Sequence, residues 1–255
     1  RVIQQAISQV MSRYYELTFT ESSHGFRRNR GTRGAITEAC NYIKEGKRSI
    51  VDIDLEKFFD EVNQNRLMRQ LSLRIGDRRV LDLIRKTLRS GILIGGIEEQ
   101  RIKGTPQGSP LSPLLSNIVL DELDQELERR GLSYVRYADD LLIFTSSQKS
   151  AERVYKGMTM YIRERMRLKV NGTKSGIRKP NEVNFLGHGF LGGGKLRLSQ
   201  PSEAKFKEKL KEKTKRNRGV SLEQVIKEVN EVLRGWLNYF KGAKMKSKLE
   251  NINSW

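Results

Sequence analysis

Apolar positions along the chain recur with two periods, and the switches between them lay out most of the elements. Val2, Ile3, Ala6, Ile7, Val10, Met11 and Tyr14 follow the spacing of a helical stripe. A second helix is expected from Ala35 to Lys44. Ser49 to Leu55 changes to period two: Val51, Ile53 and Leu55 share one face of a strand, and Asp52 and Asp54 the other. Helical spacing returns across residues 64–90 in two segments broken near Gly76-Asp77, with Leu67, Leu71, Val80, Leu83, Ile84 and Leu88 turned inward. Gly91 to Lys103 holds a Gly95-Gly96 pair between extended runs and predicts a hairpin. A Pro- and Gly-rich turn then opens a long helix. Leu111, Leu114, Leu115, Ile118, Leu123 and Leu127 form its inner face, and Gly131 ends it.

The most informative pattern follows. Tyr134 to Tyr137 alternates β-branched or aromatic residues with others, and Leu141 to Thr145 is a short apolar run suited to a buried strand. Tyr137-Ala138-Asp139-Asp140 between them predicts a hairpin tip carrying two adjacent carboxylates. Such a pair repels itself unless a cation meets it. Mg²⁺ suits, because it takes oxygen ligands and is usually held by one or two carboxylates plus substrate phosphates. Asp54, on the polar face of the earlier strand, is the natural third carboxylate. Beyond the hairpin, residues 149–166 predict another amphipathic helix. From Ser199 the composition becomes basic. Lys205, Lys207, Lys209, Lys211, Lys213, Lys215, Arg216 and Arg218 crowd one predicted helix that is charged nearly all round. A last helix from Ser221 toward Phe240 carries Val225, Val229, Val232, Leu233, Trp236 and Phe240 as a core stripe.

The chain has 255 residues, enough for one large domain or two small ones. Its formal net charge of +19 and pI of about 10.1 point to a polyanion, with nucleic acid favoured over an anionic membrane surface because no long apolar segment accompanies the charge. The single cysteine, Cys40, excludes an internal disulfide and fits a reducing compartment.

Three of these stretches carry a family resemblance. Asp54 to Asp60, Gly104 to Asn117 and Tyr137 to Asp140 resemble, in order and spacing, motifs A, B and C of reverse transcriptases. Leu168 to Ser175 resembles motif D, Asn184 to Phe190 motif E, and Ser23 to Arg27 the family's second fingers motif. Leu233-Arg234-Gly235-Trp236-Leu237-Asn238-Tyr239-Phe240 resembles the thumb, or X, domain of intron maturases. The chain is thus similar to bacterial group II intron-encoded reverse transcriptases.

The resemblance implies an α+β fold: a right-hand polymerase palm of antiparallel sheet and packed helices (49–198), partial fingers (1–48) and a partial helical thumb (199–255). The family's upstream fingers block would precede Arg1, and its thumb continues past the position of Trp255, so both ends read as cut. The implied activity is RNA-directed DNA synthesis with intron RNA binding and a splicing role. An RNA-binding splicing cofactor with a vestigial polymerase is the alternative. Asp54, Asp139 and Asp140 are the implied ligands of two Mg²⁺ ions, with Mn²⁺ able to substitute. Lys174 is implied near the pyrophosphate leaving group. Leu55, Phe59, Gln107 and Gly108 are implied at the incoming deoxynucleotide, with Phe59 as the gate under the sugar. Gly104 and Gly108 let backbone approach the nucleotide, and Ser109 replaces a glycine found in many relatives. Arg27, Arg30, Arg33, Lys209, Lys213 and Arg216 are expected on nucleic-acid phosphates. Asp52 and His188 read as structural. Implied partners are an RNA template, a DNA primer and intron RNA, in a ribonucleoprotein of the bacterial cytoplasm and away from membranes; the oligomeric state stays open.

Overall fold

The computed structural model describes residues 1–94, 97–99 and 102–253. Along the chain, α1 (Val2–Tyr15) and α2 (Thr32–Lys44) lead into β1 (Ser49–Ile53), the short α3 (Phe58–Glu61) and the pair α4 (Gln64–Ser72) and α5 (Arg78–Arg89). The hairpin β2 (Ile92–Ile94) and β3 (Ile97–Glu99) forms as expected, although Gly95 and Gly96 lie outside the described residues. Then come α6 (Ser112–Arg129), β4 (Ser133–Tyr137), β5 (Asp140–Thr145) and α7 (Gln148–Tyr161). Four short strands follow: β6 (Gly176–Arg178), β7 (Asn184–Phe185), β8 (His188–Leu191) and β9 (Lys195–Leu198). The chain closes with α8 (Gln200–Lys213), α9 (Leu222–Phe240), β10 (Ala243–Lys244) and α10 (Lys246–Asn253).

Strand alternation builds the centre. β4-β5-β1-β6 form one sheet with every neighbouring pair antiparallel. Val51, Ile53, Tyr134, Leu141 and Ile143 project from one face into the main core, where Leu67, Leu88, Leu115, Leu123 and Met158 of the surrounding helices meet them. Ile50, Val135, Leu142 and Phe144 project from the other face against Ala35, Ile36 and Ala39 of α2 and Phe185 and Phe190 of the second sheet. Both faces are covered, which is why Leu141 to Phe144 reads as an unbroken apolar run. The second sheet, β10-β9-β8-β7, starts from a tight hairpin. Phe185 pairs with His188, so Leu186 and Gly187 form a two-residue turn with φ of 50° and 78°. Two positive φ values are the type I′ pattern. Helices α8 and α9 are seated there: a Cβ on Gly187 would stand 2.7 Å from Ser202 Oγ at the start of α8, and Tyr239 donates to the Leu186 carbonyl at 3.0 Å.

Several expectations need correction. α1 has the predicted period but packs through a neighbouring stripe: Met11 and Tyr15 are buried and Ile7 packs against them, while Val2, Ile3, Val10 and Tyr14 are exposed. Ser109 donates to the Gln4 side chain at 3.1 Å, anchoring this polar-flanked face. Leu83 is exposed because α5 reaches the core through Ile84 and Leu88. The basic helix α8 stops at Lys213, leaving Lys215, Arg216 and Arg218 beyond it, and it buries Phe206 and Leu210. In α9 only Phe240 is buried; Val225, Val229, Val232, Leu233 and Trp236 are half-covered. The helix predicted over 149–166 is α7 followed by a π-helical turn, Ile162–Met166, closed by Arg167 at φ 57°.

Candidate functional site

The acidic hairpin forms with a two-residue tip. Tyr137 pairs with Asp140, leaving Ala138 and Asp139 at the turn, and Ala138 has φ 57°. An L residue resists that conformation, so its surroundings must hold it. Gly25 is pressed against it: a Cβ there would lie 2.2 Å from the Ala138 nitrogen. Behind the turn stands Arg136, 1 % exposed. Its Nε and Nη2 donate to both carboxylate oxygens of Asp124 at 2.7 and 2.5 Å. Nη1 donates to the Ala138 carbonyl at 2.8 Å and to Asn117 Oδ1 at 3.0 Å, and Nη2 also reaches Ser23 Oγ at 2.7 Å. Asn117 in turn donates to the Gly25 carbonyl at 2.8 Å. Burial opposes the guanidinium charge, but the attraction of Asp124 outweighs it and keeps the arginine protonated. One buried ion pair thus ties β4, α6 and the Ser23–Gly25 segment to the tip.

Strand register carries Asp54 toward the hairpin tip. Ile53 pairs with Leu141, so one step further sets Asp54 opposite Asp140, with Asp139 next at the turn. Solvent reaches one side of Asp140, yet the surrounding protein withdraws enough water, and Asp139, Asp52 and Asp54 add enough negative charge, to push its pKa up to about 6; Lys174 offsets part of this. Asp52 is engaged elsewhere, accepting from Arg178 Nε at 3.0 Å. Lys174 Nζ stands 3.7 Å from Asp54 Oδ2. The Asp54 backbone is bracketed by the segment before β6: its N–H donates to Ser175 Oγ at 2.9 Å and its carbonyl accepts from the Asn171 N–H at 2.9 Å. Among the described residues no group of three or more His, Cys, Asp or Glu is arranged to enclose a metal ion. An oxygen-only, like-charged pair is nonetheless the donor set Mg²⁺ accepts, since it draws its remaining ligands from water and phosphate.

Phe26, Phe59, Gln107, Gly108 and Ser109 line a cavity of about 520 Å³, and the Phe26 ring lies 6.5 Å, centre to centre, from that of Tyr137 at the hairpin. Phe59 and Gln107, far apart in sequence, are therefore neighbours, and Gln107 donates to Asp60 Oδ1 at 3.1 Å. Gly108 has φ 75° and open space where a side chain would be. Gly104 differs from expectation: a Cβ there would stand 2.8 Å from the carbonyl oxygens of Phe59 and Asp60, so its closeness serves packing of this loop on α3. The Leu55 side chain is buried in the main core, which leaves its backbone as the part available to a nucleotide.

The basic residues divide. Arg27 is turned inward: it pairs with Glu16 at 2.8 Å and donates to the Thr20 and Ser23 carbonyls, so it braces the loop and is not free for phosphate. Arg30 is paired with Glu21, while Arg33 is exposed. Lys213 is 3.1 Å from Glu228; Lys209 and Arg216 are exposed. His188 donates from Nδ1 to the Leu186 carbonyl at 3.0 Å and lies 4.8 Å, centre to centre, from Phe240, a packing role. Sequence reading missed Arg136, Asp124, Asn117 and Phe26. An arginine in a strand buried on both faces, and an aspartate on the Leu120–Leu127 side of α6, were the available signals.

A four-stranded antiparallel sheet bearing carboxylates at a hairpin tip, flanked by a nucleotide-sized cavity and followed by basic helices, defines a polymerase palm with its thumb. Residues 1–190 match the family "Reverse transcriptase (RNA-dependent DNA polymerase)" and residues 204–255 match "Group II intron, maturase-specific domain". The chain belongs to the reverse transcriptase family and carries the maturase-specific domain of group II introns. It is 30% identical over 227 residues to Protein YkfC of Escherichia coli K12, covering 74% of this chain and 60% of that protein. It is 36% identical over 125 residues to the group II intron-encoded protein LtrA of Lactococcus lactis, covering 49% of this chain and 21% of that one. The telomerase of Candida albicans has the same fold, with a TM-score of 0.61 at 16% identity over 97% of this chain and 47% of that one.

Proposed function

We propose that this chain forms the catalytic centre of an RNA-directed DNA polymerase that also binds intron RNA as a maturase. What supports the reading is the strand register that carries Asp54 toward Asp140, with Asp139 at the adjoining turn, together with a cavity lined by Phe59 and Gln107. Residues 1–48 would serve as fingers, 49–198 as palm and 199–255 as thumb. Asp54 and Asp139 would hold a pair of Mg²⁺ ions, with Asp140 as neighbour or further ligand; bound there, they would supply Lewis acidity to the primer hydroxyl and the triphosphate. Lys174, 3.7 Å from Asp54, would meet negative charge as pyrophosphate leaves. Phe59 would exclude a ribose 2′-hydroxyl. RNA template, DNA primer, deoxynucleotides and intron RNA are the proposed partners, within a cytoplasmic ribonucleoprotein. Among the described residues no helix is long and apolar enough to cross a membrane.

The test is RNA-templated primer extension, comparing deoxyribonucleotides with ribonucleotides. The unmutated chain should prefer the former, and Phe59→Val should raise ribonucleotide incorporation relative to deoxyribonucleotide. RNA binding without any extension would instead favour a splicing cofactor.

A further inference from the structure

Phe26 is the one large aromatic of the Ser23–Gly34 loop, and three independent features set it apart. It is 53 % exposed, although a phenyl ring is a poor choice for solvent. Its backbone sits at φ 58°, a left-handed conformation that a bulky residue adopts only when its surroundings impose it. Its ring lines the same cavity as Phe59, Gln107 and Gly108. The constraint comes from the residue before it. Gly25 is wedged against the Ala138 backbone, and Asn117, itself held by Arg136, clamps the Gly25 carbonyl. The strain at Phe26 thus arises next to the contacts that fix the hairpin tip, and its aromatic ring stands 6.5 Å, centre to centre, from Tyr137 of that hairpin.

Resting on the polymerase reading above, we propose that Phe26 is a stacking platform for a nucleobase in this cavity and a positioning determinant of the nascent base pair. Every base has a π face, so such a contact is tolerant of sequence. A cavity of about 520 Å³ falls within the usual range for small-molecule sites. The base belongs either to the incoming nucleotide or to the template, and the two are separable.

The experiment uses the full natural chain with an RNA template and a DNA primer. Phe26→Ala should weaken binding about tenfold, the scale of one base–aromatic stack. The loss appears in the KM for deoxynucleotide if the incoming base stacks, or in the Kd for template–primer if the template base does. Phe26→Tyr should restore it. Phe26→Gly controls for folding: glycine accepts positive φ freely, so its melting temperature should hold or rise while binding falls. Unchanged KM and Kd in both Phe26→Ala and Phe26→Gly, with normal extension by the unmutated chain, would overturn the proposal alone. Failure of the unmutated chain to extend any primer would remove the polymerase reading and this proposal with it.

Discussion

The β4–β5 hairpin and the α8–α9 pair are held in opposite ways. At the hairpin, an ion pair between Arg136 and Asp124, 1 % and 0 % exposed by side chain, is joined to Ser23, Asn117 and the Ala138 carbonyl, and the strands around it are buried on both faces. Between α8 and α9 the hold is thinner. Phe206 stacks on Trp236 with ring centres 4.2 Å apart, and Lys213 and Arg218 converge on Glu228. The indole nitrogen of Trp236 is buried with no hydrogen-bond partner among the described residues. The contrast fits the tasks that the proposed function assigns to the two regions. Reacting groups lose rate when displaced by about 1 Å, so the carboxylates need a fixed backing. Cations that meet a phosphate backbone need only be presented, because that attraction is long-ranged and independent of sequence.

The largest effect expected is at the backing. Asp124→Ala strands the Arg136 charge in the interior and should cost about 3–5 kcal/mol, seen as a lower denaturant midpoint. A loss below about 1 kcal/mol would mean that the hairpin is held by its strands alone, and the contrast with the thumb would fade. In the thumb, Lys209, Lys213 and Arg216 changed together to Gln should weaken binding to all RNA sequences alike. With Lys213 already engaged by Glu228, the slope of log affinity against log salt should flatten by about 1.4–1.8 units. An unchanged slope would move the RNA elsewhere, with Arg33 the exposed candidate. The smallest effect concerns Glu228, whose carboxyl is lowered from 4.5 to about 2 by Gln224, Arg218 and Lys213. A depressed pKa lends stability above the unfolded value, and that stability is lost as pH falls through the folded one. Melting curves of the unmutated chain and Glu228→Gln should therefore differ slightly at neutral pH and converge between pH 4.5 and 2. Divergence on acidification would contradict the brace.

What could be read from the chain follows the same division. β1, β4 and β5 each declare their burial locally, so the sheet, the hairpin tip and the facing of Asp52 and Asp54 were legible. So was α6, whose inner face spans five turns of leucine and isoleucine. α1 was legible as a helix but not in orientation, because two adjacent apolar stripes compete and the one carrying Ile7, Met11 and Tyr15 meets core residues distant in sequence. Arg27 read as a phosphate contact because nothing near it in sequence reveals that Glu16 and two carbonyls will enclose it. The Arg136 network joins Ser23, Asn117 and Asp124 from separate segments, and no periodicity encodes such a meeting. Gly104 was assigned closeness to the wrong neighbour: glycine marks tight approach, but only the fold names the partner as the Phe59–Asp60 backbone.

The central claim is that the carboxylates at the hairpin tip carry the chemistry while the basic surfaces carry the binding. Asp139→Ala in the full natural chain tests it, by primer extension on an RNA template alongside equilibrium binding of the same template–primer. Removing one negative charge from the groove should leave binding unchanged or slightly tighter, and extension should disappear. Retained extension in a correctly folded Asp139→Ala protein would contradict the assignment of the catalytic centre.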